Sequence, residues 1–217
     1  MKQVQVKICG VTNMQDAHTC AELGADMIGL NFYRESPRYI EPEAAREIVA
    51  SVGKDVCPVA VFVEPALEHV RNLAQTVGLT TVQLHGDVSS EMCGELAREF
   101  RVIRALCTHG EFRPHDAVQF RACDVLLDAA HPQLHGGTGT TCNWSAARAT
   151  LPFTRFLILS GGLNVQNVRE AIAAVQPQAV DVCSGVELAP GAKDRAAVEQ
   201  FIAAVRAVGV AELTRSA

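Results

Sequence analysis

The chain has 217 residues, 48% of them hydrophobic and 20% charged, with a formal net charge of -5 at pH 7. That length suits one domain burying about three-quarters, or slightly less, of its unfolded surface, and the composition excludes a disordered chain. The acidic balance argues against nucleic-acid or anionic-membrane partners. No stretch approaches the ~20 apolar residues of a membrane span, and the opening M-K-Q-V-Q-V-K-I-C-G lacks an apolar secretion core, so a cytoplasmic location is expected.

Taken in chain order, the pattern alternates strand and helix. Strands are expected over 4–10, 27–32, 58–63, 81–86, 102–107, 124–129, 155–161 and 179–185, where short apolar runs rich in Val, Ile and Leu recur. Helical patterns fall between and after them, over 14–23, 42–51, 65–77, 90–99, 114–121 (weak), 145–150, 165–175 and 195–208. Thr12 or Asn13 is placed to cap the first helix, and Gly24 and Gly78 to close two others. Strict alternation implies parallel strands with right-handed crossovers, and eight units in about 200 residues imply an α/β fold, a single (β/α)8 barrel over 1–217. A doubly wound sheet is the alternative. It rarely has eight regular units, and the first loop, G-V-T-N, is not a dinucleotide fingerprint.

The eight cysteines include no C-x-x-C pair, and several sit inside apolar runs such as D-V-C-P-V-A-V and R-A-L-C-T. They read as reduced thiols used as small hydrophobes rather than as a disulfide framework. His131 and His135 have a spacing that zinc sites sometimes use. With Pro132 between them and no nearby Cys or acidic pair, they read as solvated loop histidines.

The strand pleat carries more information. In V-Q-V-K-I-C-G, Val4, Val6 and Ile8 face one way, and Gln5, Lys7 and Cys9 the other. If β-branched and Leu positions face the helices, the inward phase collects Lys7, Cys9, Asn31, Gln83, His85, Arg104, Asp128 and Asp181. A barrel interior is normally aliphatic, and so many unpartnered polar groups would cost several kcal/mol. A ligand-filled mouth at the carboxyl ends of the strands accounts for the set. Closure of an eight-stranded barrel also makes the first and last strands neighbours. Lys7 and Asp181 are therefore expected to form a buried ion pair beneath Cys9.

Two further groups suit anions. Gly161-Gly162 after the seventh strand and Ser184-Gly185 after the eighth offer backbone N–H groups to a phosphate, and a short helix starting near Leu188 would add its dipole. Arg38, on the loop stiffened by Pro37, has the planar fork for a carboxylate.

The motifs KICGVT (7–12), SPRYI (36–40), VFVEP (61–65), VQLHGD (82–87), LLDA (126–129), GGTG (136–139), LSGGLN (159–164) and DVCSGVE-x-APGAKD (181–194) follow one another at barrel-unit spacing. With them the sequence resembles the phosphoribosylanthranilate isomerase family of tryptophan biosynthesis. The resemblance implies an aldose–ketose isomerase. It would convert N-(5-phosphoribosyl)anthranilate to the 1-deoxyribulose phosphate by an Amadori rearrangement, with no metal or organic cofactor, as a monomer or homodimer. It implies Cys9 as general base and Asp128 as general acid. Gln83, His85, Arg38 and the Gly161, Gly162, Ser184 and Gly185 loops would form the substrate site. This sequence departs from the family pattern in four places. Thr140 stands where Lys often follows the glycine loop, Cys142 and Asn143 where an aromatic and an acidic residue are common, and Cys183 where Ser is usual.

Two other readings compete on the residues. The histidine-pathway sugar isomerase shares the chemistry and the barrel, but it uses a carboxylate where this chain has Cys9 and is built from two related half-barrels, a repeat not evident here. A non-catalytic phosphosugar-binding barrel would not need Cys9 and Asp128 at two strand ends.

Overall fold

A computed structural model describes residues 3–108, 112–128 and 143–213. The strands β1 Gln5–Cys9, β2 Met27–Asn31, β3 Cys57–Val63, β4 Thr81–His85, β5 Arg101–Cys107, β6 Asp124–Asp128, β7 Leu157–Leu159 and β8 Ala179–Val182 close a barrel in sequence order. Every neighbouring pair is parallel, and β1 meets β8 with Lys7 opposite Asp181 and Ile8 opposite Val182. The helices α1 Met14–Glu22, α2 Pro42–Ser51, α3 Leu67–Val77, α4 Ser90–Leu96, α5 Trp144–Thr150, α6 Val168–Val175 and α7 Arg195–Leu213 accompany the strands, with a 3-10 helix at Pro114–Phe120 in the weak fifth unit. None of the described helices is long and apolar enough to cross a membrane.

Local chemistry explains the boundaries. The Asn13 side chain accepts from Asp16 N at 2.8 Å and starts α1, whereas Thr12 Oγ1 donates to the Gly191 carbonyl at 2.7 Å instead of capping. Ser89 and Asn143 cap α4 and α5 in the same way, and Pro42 occupies the first turn of α2. The helix expected from residue 165 begins only at Val168. Asn164 Oδ1 accepts from Gln166 N and Asn167 N (2.9 and 3.1 Å), holding that segment as a polar turn. The seventh strand is shorter than expected, and before it the Arg155 side chain pairs with Asp124 at 3.0 Å.

Two expectations are corrected. No helix starts near Leu188: a 3-10 turn at Ser184–Val186 leads into the antiparallel hairpin β9 Glu187–Ala189 and β10 Ala192–Lys193, turned through Pro190 and Gly191. Arg104 faces the helices, not the barrel. In β5 the residues Ile103 and Ala105 join Met27, Val59, Leu126, Ile158 and Ala179 in the inner cluster, which puts Arg104 on the opposite face. There Nη1 donates to Leu84 O (3.0 Å) and Nη2 to Gly86 O (2.7 Å), and the guanidinium lies 5.2 Å from the centre of the Phe120 ring. Alternation misassigned it because Val102 and Ile103 are both β-branched and define no phase. Arg104 therefore secures the end of β4 from behind.

The inner cluster fills the lower barrel, and the larger outer cluster packs Val6, Ile8, Ile28, Leu30, Val82 and Leu127 against the helices. Above the aliphatic floor the inward residues turn polar, and that change of character positions the site.

Candidate active site

The carboxyl ends of the strands surround a cavity of about 710 Å³, open solvent included. Cys9, Arg38, Gln83, His85, Asp128, Gly161, Gly162 and Ser184 all line it. Gly185 does not. It packs behind the rim, where a Cβ would fall 2.1 Å from the Leu163 carbonyl, so its missing side chain lets the loops after β7 and β8 pack together. Ala129, His131, His135, Thr140, Cys142 and the GGTG stretch at 136–139 lie outside the described residues.

Beneath the cavity Lys7 Nζ donates to Asp181 Oδ1 at 2.7 Å, and Ser160 Oγ donates to the other carboxylate oxygen at 2.9 Å. The expected ion pair is present, with the Lys7 side chain 0% exposed. Burial alone would push Lys7 down. Asp181 and Cys9 outweigh it, so Lys7 is raised and remains an ammonium.

Cys9 stands one pleat above this pair at the end of β1, half-buried. Its thiol is lowered to about 7. The largest cause is a hydrogen bond from the Cys183 thiol, with Lys7 and Lys193 adding positive potential against burial and Asp181. Cys183 is driven in the opposite direction by the same contact, so Cys9 is the sulfur that ionises. Space for it comes from Gly29 on the adjacent strand: a Cβ there would lie 2.7 Å from Cys9 Sγ and 3.1 Å from Lys7 Nζ.

Across the barrel, Asp128 ends β6 at 9% exposure, its carbonyl held by Thr108 N at 2.9 Å. On β4, Gln83 Nε2 and His85 Nε2 are 2.6 Å apart, and buried Gln83 Oε1 has no hydrogen-bond partner among the described residues. That orphan acceptor borders the cavity and is suited to a donor brought by a ligand.

The rim holds residues that sequence patterning did not single out. Arg38 reaches Glu187 through Nε (3.0 and 3.1 Å) and Nη2 (2.7 Å). Lys193 Nζ bridges Glu187 Oε1 (2.7 Å) and the Cys9 carbonyl (2.6 Å). Burial pushes Glu187 up, but Arg38 and Lys193 more than reverse this and keep it ionised. Two cations around one carboxylate leave a net positive charge at the rim. Arg38 Nη1 makes no hydrogen bond among the described residues, and the loop below it is fixed by Asn31 Nδ2 to Ser36 Oγ (3.1 Å) and Arg38 N to Ser36 Oγ (3.2 Å). Opposite, Gly161 and Gly162 adopt φ of +88° and +63°, a left-handed pair that favours glycine and leaves backbone without side chains at the cavity wall. Glu187 and Lys193 belong to the run 181–194. Their role was hidden because it depends on a hairpin folding back over β1.

The site thus offers an ionisable thiol facing a carboxyl group across one cavity, between two anion-friendly flanks. A family profile described as N-(5'phosphoribosyl)anthranilate (PRA) isomerase matches residues 6–204. An N-(5'-phosphoribosyl)anthranilate isomerase from Thermotoga neapolitana is 47% identical over 199 residues, covering 92% of this chain and 97% of its own. The Geobacter sp. (strain M21) enzyme of the same name is 44% identical over 92% of this chain and 96% of its own. The crystal structure of the phosphoribosyl anthranilate isomerase from Thermotoga maritima superposes with a TM-score of 0.89 at 43% identity, over 94% of this chain and 100% of that one. A second such isomerase, solved in complex with reduced 1-(o-carboxyphenylamino)-1-deoxyribulose 5-phosphate, superposes at 0.85 and 41% identity, again over 94% and 100%. Barrel order and these relatives agree, and the chain belongs to the N-(5'-phosphoribosyl)anthranilate isomerase family.

Proposed function

We propose that this protein isomerises N-(5-phosphoribosyl)anthranilate to 1-(2-carboxyphenylamino)-1-deoxyribulose 5-phosphate, an Amadori step in L-tryptophan biosynthesis. One barrel unit would carry the whole activity, as a monomer or homodimer. The observation that carries the reading is the placement of Cys9 on β1 and Asp128 on β6 at opposite sides of one cavity.

Asp128 protonates the furanose ring oxygen, the C1–O bond breaks, and the ring opens to an iminium. The Cys9 thiolate then takes the C2 proton, giving an enolamine. Protonation at C1 and loss of the C2 hydroxyl proton complete the aminoketose. Lys7 beneath Cys9 and the Cys183 thiol beside it stabilise the sulfur anion before the step. Arg38 receives the anthranilate carboxylate while Glu187 holds the guanidinium, and the Gly161–Gly162 and Ser184–Gly185 loops receive the phosphate. Gln83 and His85 contact the substrate between these ends. The net positive rim suits a substrate with two anionic groups. Seven free thiols among the described residues support a reducing, cytoplasmic setting.

The test is the loss of anthranilate fluorescence when freshly prepared phosphoribosylanthranilate meets the purified protein. Turnover well above spontaneous decay is expected. A rate equal to that of the protein-free control would overturn the assignment.

A further inference from the structure

We propose that Cys9 and Cys183 form a peroxide-reactive dithiol within the cavity, which closes reversibly into a disulfide. The catalytic strand end would then also be a modification site. The linkage depends on the geometry of the pair and not on the isomerase reading.

The placement follows from barrel closure. β1 and β8 run in register through Ile8 and Val182, and Cys9 and Cys183 are the residues that follow this last pair on the two neighbouring segments. Adjacent strands lie about 4.7–4.9 Å apart, inside the roughly 4.4–6.8 Å between Cα atoms that a disulfide spans. Each thiol lies within electrostatic reach of the other, and both residues are free, half-exposed and line the cavity. Cys183 Sγ also lies over the next residue of β1: a Cβ on Gly10 would be 3.1 Å from it. The Cys183 thiol donates to Glu187 Oε1 at 3.8 Å.

Reactivity is distributed unequally between the two sulfurs, as such a pair requires. Lys7, Lys193 and Arg38 surround Cys9 with positive charge against Asp181, so Cys9 is the nucleophile. Cys183 keeps its proton and is the resolving thiol. The Cys9 thiolate attacks one oxygen of a hydroperoxide: an S–O bond forms, the O–O bond breaks, and alkoxide or hydroxide leaves, giving a sulfenic acid. The Cys183 sulfur then attacks that sulfur. The S–S bond forms, the S–O bond breaks, and the hydroxyl departs as water with the Cys183 proton. The sulfur pair loses two electrons in total, and the peroxide gains them. By contrast Cys20, Cys93 and Cys123 are buried away from solvent in the outer core.

The experiment treats the purified protein with stoichiometric hydrogen peroxide and maps the products by intact mass and peptide mass spectrometry. The expected product is lighter by two hydrogen atoms and yields one cross-linked peptide joining Cys9 to Cys183. Its activity is lost and then fully restored by dithiothreitol. In Cys183→Ser, and in Cys183→Ala should the first fold poorly, Cys9 given a second equivalent of peroxide instead gains two oxygen atoms and dithiothreitol restores nothing. Wild-type protein that carries oxygen on Cys9, or that links other cysteines while Cys9 stays reduced, overturns the proposal. The mapping needs no turnover, so its outcome stands apart from that of the fluorescence assay.

Discussion

Replacing Lys7 and Asp181, singly and together, tests how the barrel tolerates charge under the Cys9 thiol. The two groups meet at 2.7 Å with side chains 0% and 7% exposed, so the Lys7 ammonium has no solvent to turn to when its partner is removed, whereas Asp181 borders the cavity. Removing one partner of such a pair costs about 3–5 kcal/mol, chiefly through the charge left behind. The survivors are not equivalent. After Lys7→Met, Asp181 keeps the Ser160 hydroxyl at 2.9 Å, whereas after Asp181→Leu the ammonium has lost its carboxylate in a site closed to water. We expect Lys7→Met near the lower end of that range and Asp181→Leu near the upper end. The double variant should recover most of the loss, leaving a coupling energy of a few kcal/mol in the cycle. Urea unfolding of the four proteins, with m-values compared to verify a common unfolded reference, measures this directly. Singles costing under about 1 kcal/mol each, or a double equal to their sum, would refute the reasoning. Activity should not return in the double, because Cys9 has still lost its ammonium.

Cys9→Ala is expected to fold normally and lose about 10²-fold or more in kcat. In the wild type, activity should rise with pH through about 7 as Cys9 ionises, and Lys7→Met should move that limb to higher pH because positive charge favours the thiolate; a pH–kcat/KM profile with an unmoved limb would contradict the assignment. Asp128→Asn removes the proton donor while preserving shape, so steady-state kinetics should give a fall in kcat far exceeding any rise in KM. Arg38→Lys should weaken product analogues that carry the carboxylate and spare inorganic phosphate, while Ser184→Asp should do the reverse, as calorimetric titration would read; equal losses for both ligands in both variants would end that division. Gly29→Ala pushes a methyl toward Cys9 Sγ, the Cys9 backbone and Lys7 Nζ, and should cost about 10²-fold in kcat and also lower the thermal unfolding temperature.

The amino-acid order by itself determined the strand–helix rhythm, the barrel class and most of the inward polar set. Apolar periodicity, caps and glycine stops are local properties, so eight βα units were readable wherever one face of a strand was uniformly apolar. β5 had no such face, and Arg104 was placed on the wrong side. Likewise Leu188 was read as a helix start because nothing local announces that Pro190 and Gly191 turn the chain into a hairpin. The Lys7–Asp181 pair was legible only because an eight-stranded barrel must bring its first and last strands together. What tertiary structure alone decided is each contact between residues far apart in the chain. Glu187 and Lys193 reach Arg38 and the Cys9 carbonyl, Gly29 clears room for the Cys9 sulfur, Gly185 steps back behind the rim, and Cys183 comes to lie against Cys9. Side-chain direction along one strand is set by its own pleat. Which side chains meet is set by register between strands, and register is fixed only when the whole ring closes.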